Sequence, residues 1–301
     1  MPKPKVIAIV GPTASGKSSL AIEIAKICDG EVISADSRQV YRGLDIGSGK
    51  ITVSEMAGIP HHLLDIADPI DTYTAADFVR DAKVIIADII SRNKTPIIAG
   101  GTFFYLDILR GKMQTAAVAP NAALQTELEK LTTAELVQKL SLADPKHAAK
   151  IDTKNRRRLI RSLEIIATLG AVPEVETVPS EYEWLILGID IDKEILNARI
   201  EKRLHERLQN GMVEEVQKLL ESGISLKRLE DFGLEYRYIT KYLQKEISYA
   251  EMIEQLFAKI RQFAKRQRTW LKRDEDIIWK PFPVTVASIQ KDLNNFLTKN
   301  K

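Results

Sequence analysis

One cysteine, Cys28, is the whole thiol complement of this 301-residue chain. Without a second thiol there is no internal disulfide, and the count fits a reducing, cytoplasmic setting. Apolar runs are short throughout; none approaches the ~20 residues that cross a bilayer, so no membrane partner is expected. Met-Pro-Lys-Pro-Lys leads straight into an apolar strand, leaving no room for a secretory signal. Histidines number four, and the adjacent His61-His62 would point to opposite sides of an extended chain. Joint chelation of zinc is therefore not expected. The net charge is only +3, so any nucleic-acid contact must come from local basic patches. No internal repeat or low-complexity segment occurs, and nothing demands an obligate protein partner. What remains is ordinary for one large or two modest globular domains, with 45% hydrophobic and 28% charged residues.

Against that plain background, Gly11-Pro12-Thr13-Ala14-Ser15-Gly16-Lys17-Ser18 matches the G-x-x-x-x-G-K-[ST] phosphate loop. Val6-Ile7-Ala8-Ile9-Val10 reads as the buried strand before it, and Leu20-Ala21-Ile22-Glu23-Ile24-Ala25 as the helix after it. Backbone N–H groups of Gly11, Thr13, Ala14, Ser15 and Gly16 would converge where the helix dipole favours an anion, and Lys17 adds a point charge. Ser18 could hold Mg²⁺ through its hydroxyl. The loop implies a diphosphate or triphosphate ligand without saying which.

The rest of the first part alternates strand and helix. Glu31-Val32-Ile33-Ser34-Ala35 predicts a second strand ending at Asp36, residues 75–90 a helix, and Thr95-Pro96-Ile97-Ile98-Ala99 a third strand ending in Gly100-Gly101-Thr102. This predicts an α/β fold: a P-loop parallel sheet core flanked by helices. From Asn121 the texture turns helical. Leu124, Leu128, Leu131, Leu136 and Leu140 recur at helical spacing, Asp144-Pro145 starts a short helix, and Asp152-Thr153 would open one running to Gly170. Residues 121–151 are expected to form a helical insertion, with 1–120 and 152–301 making the core and its C-terminal helices. A late strand, Trp184-Leu185-Ile186-Leu187-Gly188-Ile189, is followed by three expected long helices near 193–221, 229–242 and 248–273. The remainder, with Pro281 and Pro283, reads as a wrapping tail.

Chemistry concentrates at the strand ends, where ligands of open parallel sheets bind. Asp36 could bind Mg²⁺, act as a general base, or serve only as a turn residue. Thr102 could cap the helix at 103–109 or bind a phosphate oxygen. The third strand ends in Gly-Gly-Thr where a Walker B strand would end in an acid, which argues against a motor ATPase but not a small-molecule kinase. Arg199 and Arg203, four apart on one helix, are a surface pair or an anion clamp. Two basic clusters stand out. Arg156, Arg157, Arg158 and Arg161 lie beside the insertion. Lys259, Arg261, Lys265, Arg266, Arg268, Lys272 and Arg273 lie on a helix without one acid from Leu256 to Arg273. Leu256, Ile260, Phe263 and Trp270 are its expected docking stripe, leaving the cations for nucleic-acid phosphates.

Taken in order along nearly the whole chain, these segments resemble the tRNA dimethylallyltransferase (tRNA isopentenyltransferase) family. The resemblance rests on the phosphate loop, Ile33-Ser34-Ala35-Asp36-Ser37, Gln39-Val40-Tyr41-Arg42-Gly43, Asp45-Ile46-Gly47, Pro60-His61-His62-Leu63, Gly100-Gly101-Thr102, Arg157-Arg158-Leu159-Ile160-Arg161, and Arg261-Gln262-Phe263-Ala264-Lys265-Arg266-Gln267 with Thr269-Trp270. It implies transfer of a dimethylallyl group from its diphosphate to N6 of the adenosine 3′ to the tRNA anticodon, assisted by Mg²⁺. The loop would hold the diphosphate, Asp36 would take the amine proton, and Thr102 and Arg203 would grip the diphosphate from the other side. Ser37 and Gln39 would read the adenine edge beside Arg38. Arg157, Arg158 and Arg161 would sit at the root of an anticodon-stem clasp, and Lys265 and Arg266 would meet the RNA backbone. An ATP-binding label would then be an artefact of the loop signature. Departures from the family pattern include Phe103-Phe104 after Gly-Gly-Thr, Gln125 for an arginine, and Phe232-Gly233-Leu234-Glu235-Tyr236. A nucleoside or small-molecule kinase, a prenyltransferase acting on free adenine nucleotide, and an RNA-binding module with a degenerate site are the rivals.

Overall fold

The computed structural model describes residues 2–116, 118–174 and 177–298. They form two compact units: Met1–Arg110 with Pro179–Lys301, and Gly111–Val178.

In chain order the first unit contains β1 (Lys5–Val10), α1 (Lys17–Cys28), β2 (Gly30–Ser34), β3 (His61–His62), α2 (Ala75–Ser91), β4 (Thr95–Ala99) and α3 (Phe103–Leu109). The second unit supplies α4 (Ala122–Glu129), α5 (Thr133–Ala143), α6 (Pro145–Ala148) and α7 (Arg156–Leu169). The first unit then resumes with β5 (Glu183–Asp190), α8 (Lys193–Gln209), α9 (Met212–Glu221), α10 (Leu226–Phe232), α11 (Leu234–Leu243), α12 (Tyr249–Leu271), β6 (Ile277–Pro281) and α13 (Val286–Thr298).

The expected parallel sheet is present, six strands in the order β3-β2-β4-β1-β5-β6. β1 lies between β4 and β5, with Ile7 opposite both Ile97 and Leu185. Its run is apolar without alternation because both faces are covered. Val6, Ala8 and Val10 pack with Phe78, Ala82, Ile86 and Ile89 of α2. Ile7 and Ile9 pack with Leu20, Ala21 and Ile24 of α1 and with Ile289, Leu293 and Phe296 of α13. The C-terminal segment is therefore not a wrapping tail. It contributes an edge strand and the second helix of one sheet face, for which Ile289, Leu293 and Phe296 already carry helical spacing.

A separate core joins α8 to α12, including Leu204, Met212, Val216, Phe232, Tyr236, Met252 and Leu256. Two of the three expected long helices are each broken in two. Gly211 (φ 96°) separates α8 from α9, and Gly233 (φ 124°) separates α10 from α11. Both glycines adopt a conformation closed to most other residues.

In the second unit Leu128, Leu136, Leu140, Leu159, Ile160 and Leu163 form one core. α7 thus belongs with the helical unit, which extends beyond residues 121–151. Asn155, and not Asp152, caps α7 by accepting from the Arg158 N–H. Asp152 holds a turn, accepting from the Lys154 N–H at 3.1 Å.

Candidate active site

The crevice lies beyond the carboxyl ends of β1, β2 and β4, where β1 opens into the phosphate loop. Lys17 folds over that loop, donating to the Gly11 carbonyl at 2.9 Å and to the Pro12 carbonyl at 2.8 Å. Burial, then the charge of Arg203, push its pKa down to about 7, while Asp36 pulls the other way. Ser15 is buried with its hydroxyl unpartnered. Ser18 is exposed at the start of α1.

The two arginines of α8 separate. Arg199 donates to the Ala14 carbonyl at 2.8 Å and stacks on the Phe282 ring at 5.0 Å, so it braces the loop. Arg203 lies close enough to Lys17 and Asp36 for its charge to act on both. Burial and neighbouring Arg207 lower its pKa to about 10. Room for these cations is made at Gly49 (φ 63°): a side chain there would occupy the space of both the Arg203 and Arg207 guanidinium groups. The segment leading to Gly49 is pinned by Glu215. Its carboxylate accepts from the Asp45, Ile46 and Gly47 N–H groups at 2.9, 2.6 and 3.0 Å, and from the Tyr236 hydroxyl at 2.9 Å. Nothing in the motif pattern singles out Glu215. Tyr236 lies in one of the departures noted above and serves as this clamp, while adjacent Glu235 pairs with Arg207 at 3.5 Å.

Opposite the loop, Asp36 follows β2. Its Oδ1 accepts from the Arg38 N–H at 2.9 Å, and its Oδ2 lies on the Gly101 side. One oxygen of Asp36 thus serves the turn, and the other takes no part in that bond. Thr102 begins α3 without a side-chain cap. Its hydroxyl instead donates to Ser37 Oγ at 3.2 Å and accepts from the Ser37 N–H at 3.0 Å. Gln39 bridges within the fold, accepting from Ser34 Oγ at 3.0 Å and donating to the Gly49 carbonyl at 3.2 Å. The Arg38 guanidinium lies beside Gly233. Phe103 is buried with Val10, Ala35 and Ile98, whereas Phe104 is 39% exposed.

α12 presents a different stripe from the expected one. Met252, Leu256, Ile260, Ala264, Gln267 and Leu271 face inward. Phe263 is exposed, and Trp270 is half-buried, its indole N–H donating to Asp107 at 2.9 Å. Gln267 is a buried amide in an apolar row, a signal the sequence carried: Thr13 N–H donates to its Oε1 at 2.8 Å, and its Nε2 donates to the Gly101 carbonyl at 3.0 Å. Lys265 and Arg266 are exposed on the outer side.

In the second unit Arg157 and Arg158 are exposed near the start of α7. Arg161 turns inward to the Val118 carbonyl at 2.5 Å and to buried Glu164 at 3.4 Å. Gln125 donates to that same carboxylate at 3.0 Å. The two histidines at 61 and 62 are employed locally: His62 meets Glu31 at 2.8 Å, and His61 meets the Ile59 carbonyl at 2.8 Å.

Among the described residues no group of three or more His, Cys, Asp or Glu side chains could hold a metal ion, and no helix is long and apolar enough to cross a membrane. With Lys17 and Arg203 beside the phosphate loop and the Asp36 carboxylate near both, the crevice has the groups to grip an anion and to accept a proton.

A model of the IPP transferase family matches residues 39–274. The chain is 44% identical over 271 residues to tRNA dimethylallyltransferase 2 of Shewanella sediminis, covering 90% of this chain and 89% of that one. Among solved structures, the full-length tRNA isopentenylpyrophosphate transferase of Bacillus halodurans is similar at 35% identity with a TM-score of 0.73, covering 99% of this chain and 96% of that one. A eukaryotic dimethylallyltransferase captured acting on tRNA is similar at 27% identity with a TM-score of 0.83, covering 99% of this chain and 80% of that one.

Proposed function

The chain belongs to the IPP transferase family, and from that membership and the crevice geometry we propose that it is a tRNA dimethylallyltransferase. It transfers the dimethylallyl group of dimethylallyl diphosphate to N6 of the adenosine 3′-adjacent to the anticodon and releases diphosphate. The observation that supports this reading is the bridge from the phosphate-loop Thr13 N–H through Gln267 to the Gly101 carbonyl, beside which lies Asp36 Oδ2, with Lys17 and Arg203 near enough for charge to act between them and Asp36. Phosphate-gripping cations would face a proton acceptor, and β4, the neighbour of β1, runs into Gly100-Gly101-Thr102 where a Walker B strand would end in the acid that orients water.

In this reading the phosphate loop from Gly11 to Ser18 holds the diphosphate, with Arg203 and Thr102 closing on it. The adenine N6 lone pair forms a bond to the allylic carbon as the carbon–oxygen bond breaks. The electron pair of that bond leaves with the diphosphate, and the N6 proton passes to Asp36. Ser37, Arg38 and Gln39, next to Asp36, would read the base, which must leave its stack to enter. Arg157, Arg158, Arg161, Lys265 and Arg266 would bind the anticodon stem-loop. Of these, Arg161 is already engaged inside its own unit. Mg²⁺ would be held at the loop by the Ser18 hydroxyl, exposed at the start of α1, together with the diphosphate itself. There it would neutralise charge on the departing diphosphate.

The test is direct. Purified protein, Mg²⁺, dimethylallyl diphosphate and an unmodified anticodon hairpin should give N6-dimethylallyladenosine on nucleoside mass spectrometry. Asp36→Asn should lower kcat by ~10²–10⁴-fold while diphosphate binding persists. Consumption of ATP on a nucleoside, with no prenylated product, would overturn the proposal in favour of a kinase.

A further inference from the structure

Both sides of the crevice meet at one side chain. Gln267 is 5% exposed, midway between the phosphate loop and the Gly-Gly-Thr turn. Its Oε1 takes the Thr13 N–H of the loop, and its Nε2 gives to Gly101, the residue before Thr102. A methyl group at Gly101 would lie 3.3 Å from Gln267 Nε2 and 3.4 Å from Asp36 Oδ2. One amide thus spans from the loop that would hold the leaving group to the turn beside the proton acceptor.

We propose that Gln267 is a positioning residue for prenyl transfer. It fixes the separation of the phosphate loop from the Asp36–Thr102 side, and with it the gap that the allylic carbon crosses. This inference rests on the reaction assigned above. The residue type follows from the partners. One backbone donor and one backbone acceptor are satisfied together by a neutral planar amide and by neither a carboxylate nor a thioether. The mounting suits the task as well. α12 is docked through Met252, Leu256, Ile260, Ala264 and Leu271, so the amide projects from a packed helix and not from a loop. Loss of the bridge would leave two partly buried backbone groups unpaired, and the loop would shift to recover partners. A displacement on the order of 1 Å between reacting groups costs about 100-fold in rate.

The experiment compares wild-type protein with Gln267→Met and Gln267→Glu. It measures thermal unfolding, single-turnover prenylation of the anticodon hairpin, hairpin affinity, and calorimetric affinity for inorganic pyrophosphate. Gln267→Met should fold, bind the hairpin as wild type does, bind pyrophosphate more weakly, and react about 10- to 100-fold more slowly. Gln267→Glu keeps the acceptor for the Thr13 N–H and lacks a donor for the Gly101 carbonyl, so it should also react about 10- to 100-fold more slowly with hairpin affinity unchanged. A packing role alone would lower the unfolding temperature and leave the rate and pyrophosphate affinity of the folded protein as in the wild type. Wild-type rate and pyrophosphate affinity in folded Gln267→Met would overturn the proposal, as would a wild-type rate in Gln267→Glu. Should Gln267→Met not fold, Gln267→Glu, which keeps the shape and the acceptor for Thr13, decides alone. If the wild-type protein prenylates no hairpin, the assigned reaction fails. The bridge is then judged separately by pyrophosphate affinity, and equal affinity in all three proteins would refute it.

Discussion

Burial first, and a neighbouring cation second, lowers the basicity of both Lys17 and Arg203: Arg203 acts on Lys17, and Arg207 on Arg203. The sign of the consequence is fixed. Free Lys17 releases its proton near pH 7 instead of the usual 10.5, and a bound diphosphate favours the charged form again. Binding at pH 8 should therefore take up close to one proton, and affinity should fall by up to about tenfold per pH unit above 7. Calorimetry in buffers of different ionisation enthalpy measures the uptake. Lys17→Arg, with a permanently charged guanidinium, should show none. The same linkage bears on the unliganded fold. Because the folded pKa is depressed, the contribution of this lysine to stability is full above pH 10.5 and is lost as pH falls toward 7. Arg203 is the companion case. Arg203→Met should raise the unfolding temperature of the free protein by relieving cation repulsion, while cutting kcat/KM for dimethylallyl diphosphate by about 10²-fold. Unfolding and steady-state measurements on one preparation check both.

At the scale of elements, the crevice is assembled by helices that reach across to the loops between strands. α9 sends Glu215 to the three N–H groups of Asp45, Ile46 and Gly47, and α11 sends the Tyr236 hydroxyl to the same carboxylate. Glu215→Ala should cost about 3 kcal/mol in denaturant unfolding, since hydrogen bonds to a charged acceptor are lost. It should also weaken diphosphate binding through Gly49, whose backbone makes room for Arg203. Much of this level was visible in advance. β1, β4, β5, α1, α2 and α3 stand where apolar runs and periodicity predict them, although Thr102 does not cap α3. The errors have physical causes. Gly211 and Gly233 break helices whose apolar spacing continues across the break. Gln267, a polar residue, occupies an inner position on α12, so the stripe was drawn through Phe263 and Trp270 instead.

For the molecule as a whole, the charge balance is nearly neutral and recognition must be local. α12 carries Lys259, Arg261, Lys265 and Arg266 exposed, and Lys272 and Arg273, also exposed, follow its end. Lys265→Ala and Arg266→Ala should each reduce the slope of log affinity against log salt for the hairpin by about 0.7–1, leaving pyrophosphate affinity unchanged. Filter binding from low to high salt checks this. A variant with unaltered slope would remove that side of α12 from the RNA-binding surface. The helical unit stands on its own core. Its buried Glu164 carboxylate gathers Asn121 N–H, Gln125 and Arg161, so Arg161, expected at the root of the RNA clasp, and Gln125, a departure from the family pattern, both serve its internal packing.

Local chemistry was decided by the chain alone. A glycine-rich turn between an apolar strand and a helix makes an anion site wherever it occurs, because its amides and dipole are covalently placed. The parallel sheet follows from strand–helix alternation in the same way. Residues far apart in the chain become partners only after packing. Thr13 and Gly101 meet at Gln267, Gly49 meets Arg203, and Asp45–Gly47 meet Glu215. Hydrogen bonds and charge repulsion depend on distance in space, which no spacing along the sequence encodes. Tertiary structure therefore determined that Arg203 lies near Lys17 and Asp36, that Arg199 braces the loop, and that the Thr102 hydroxyl turns to Ser37.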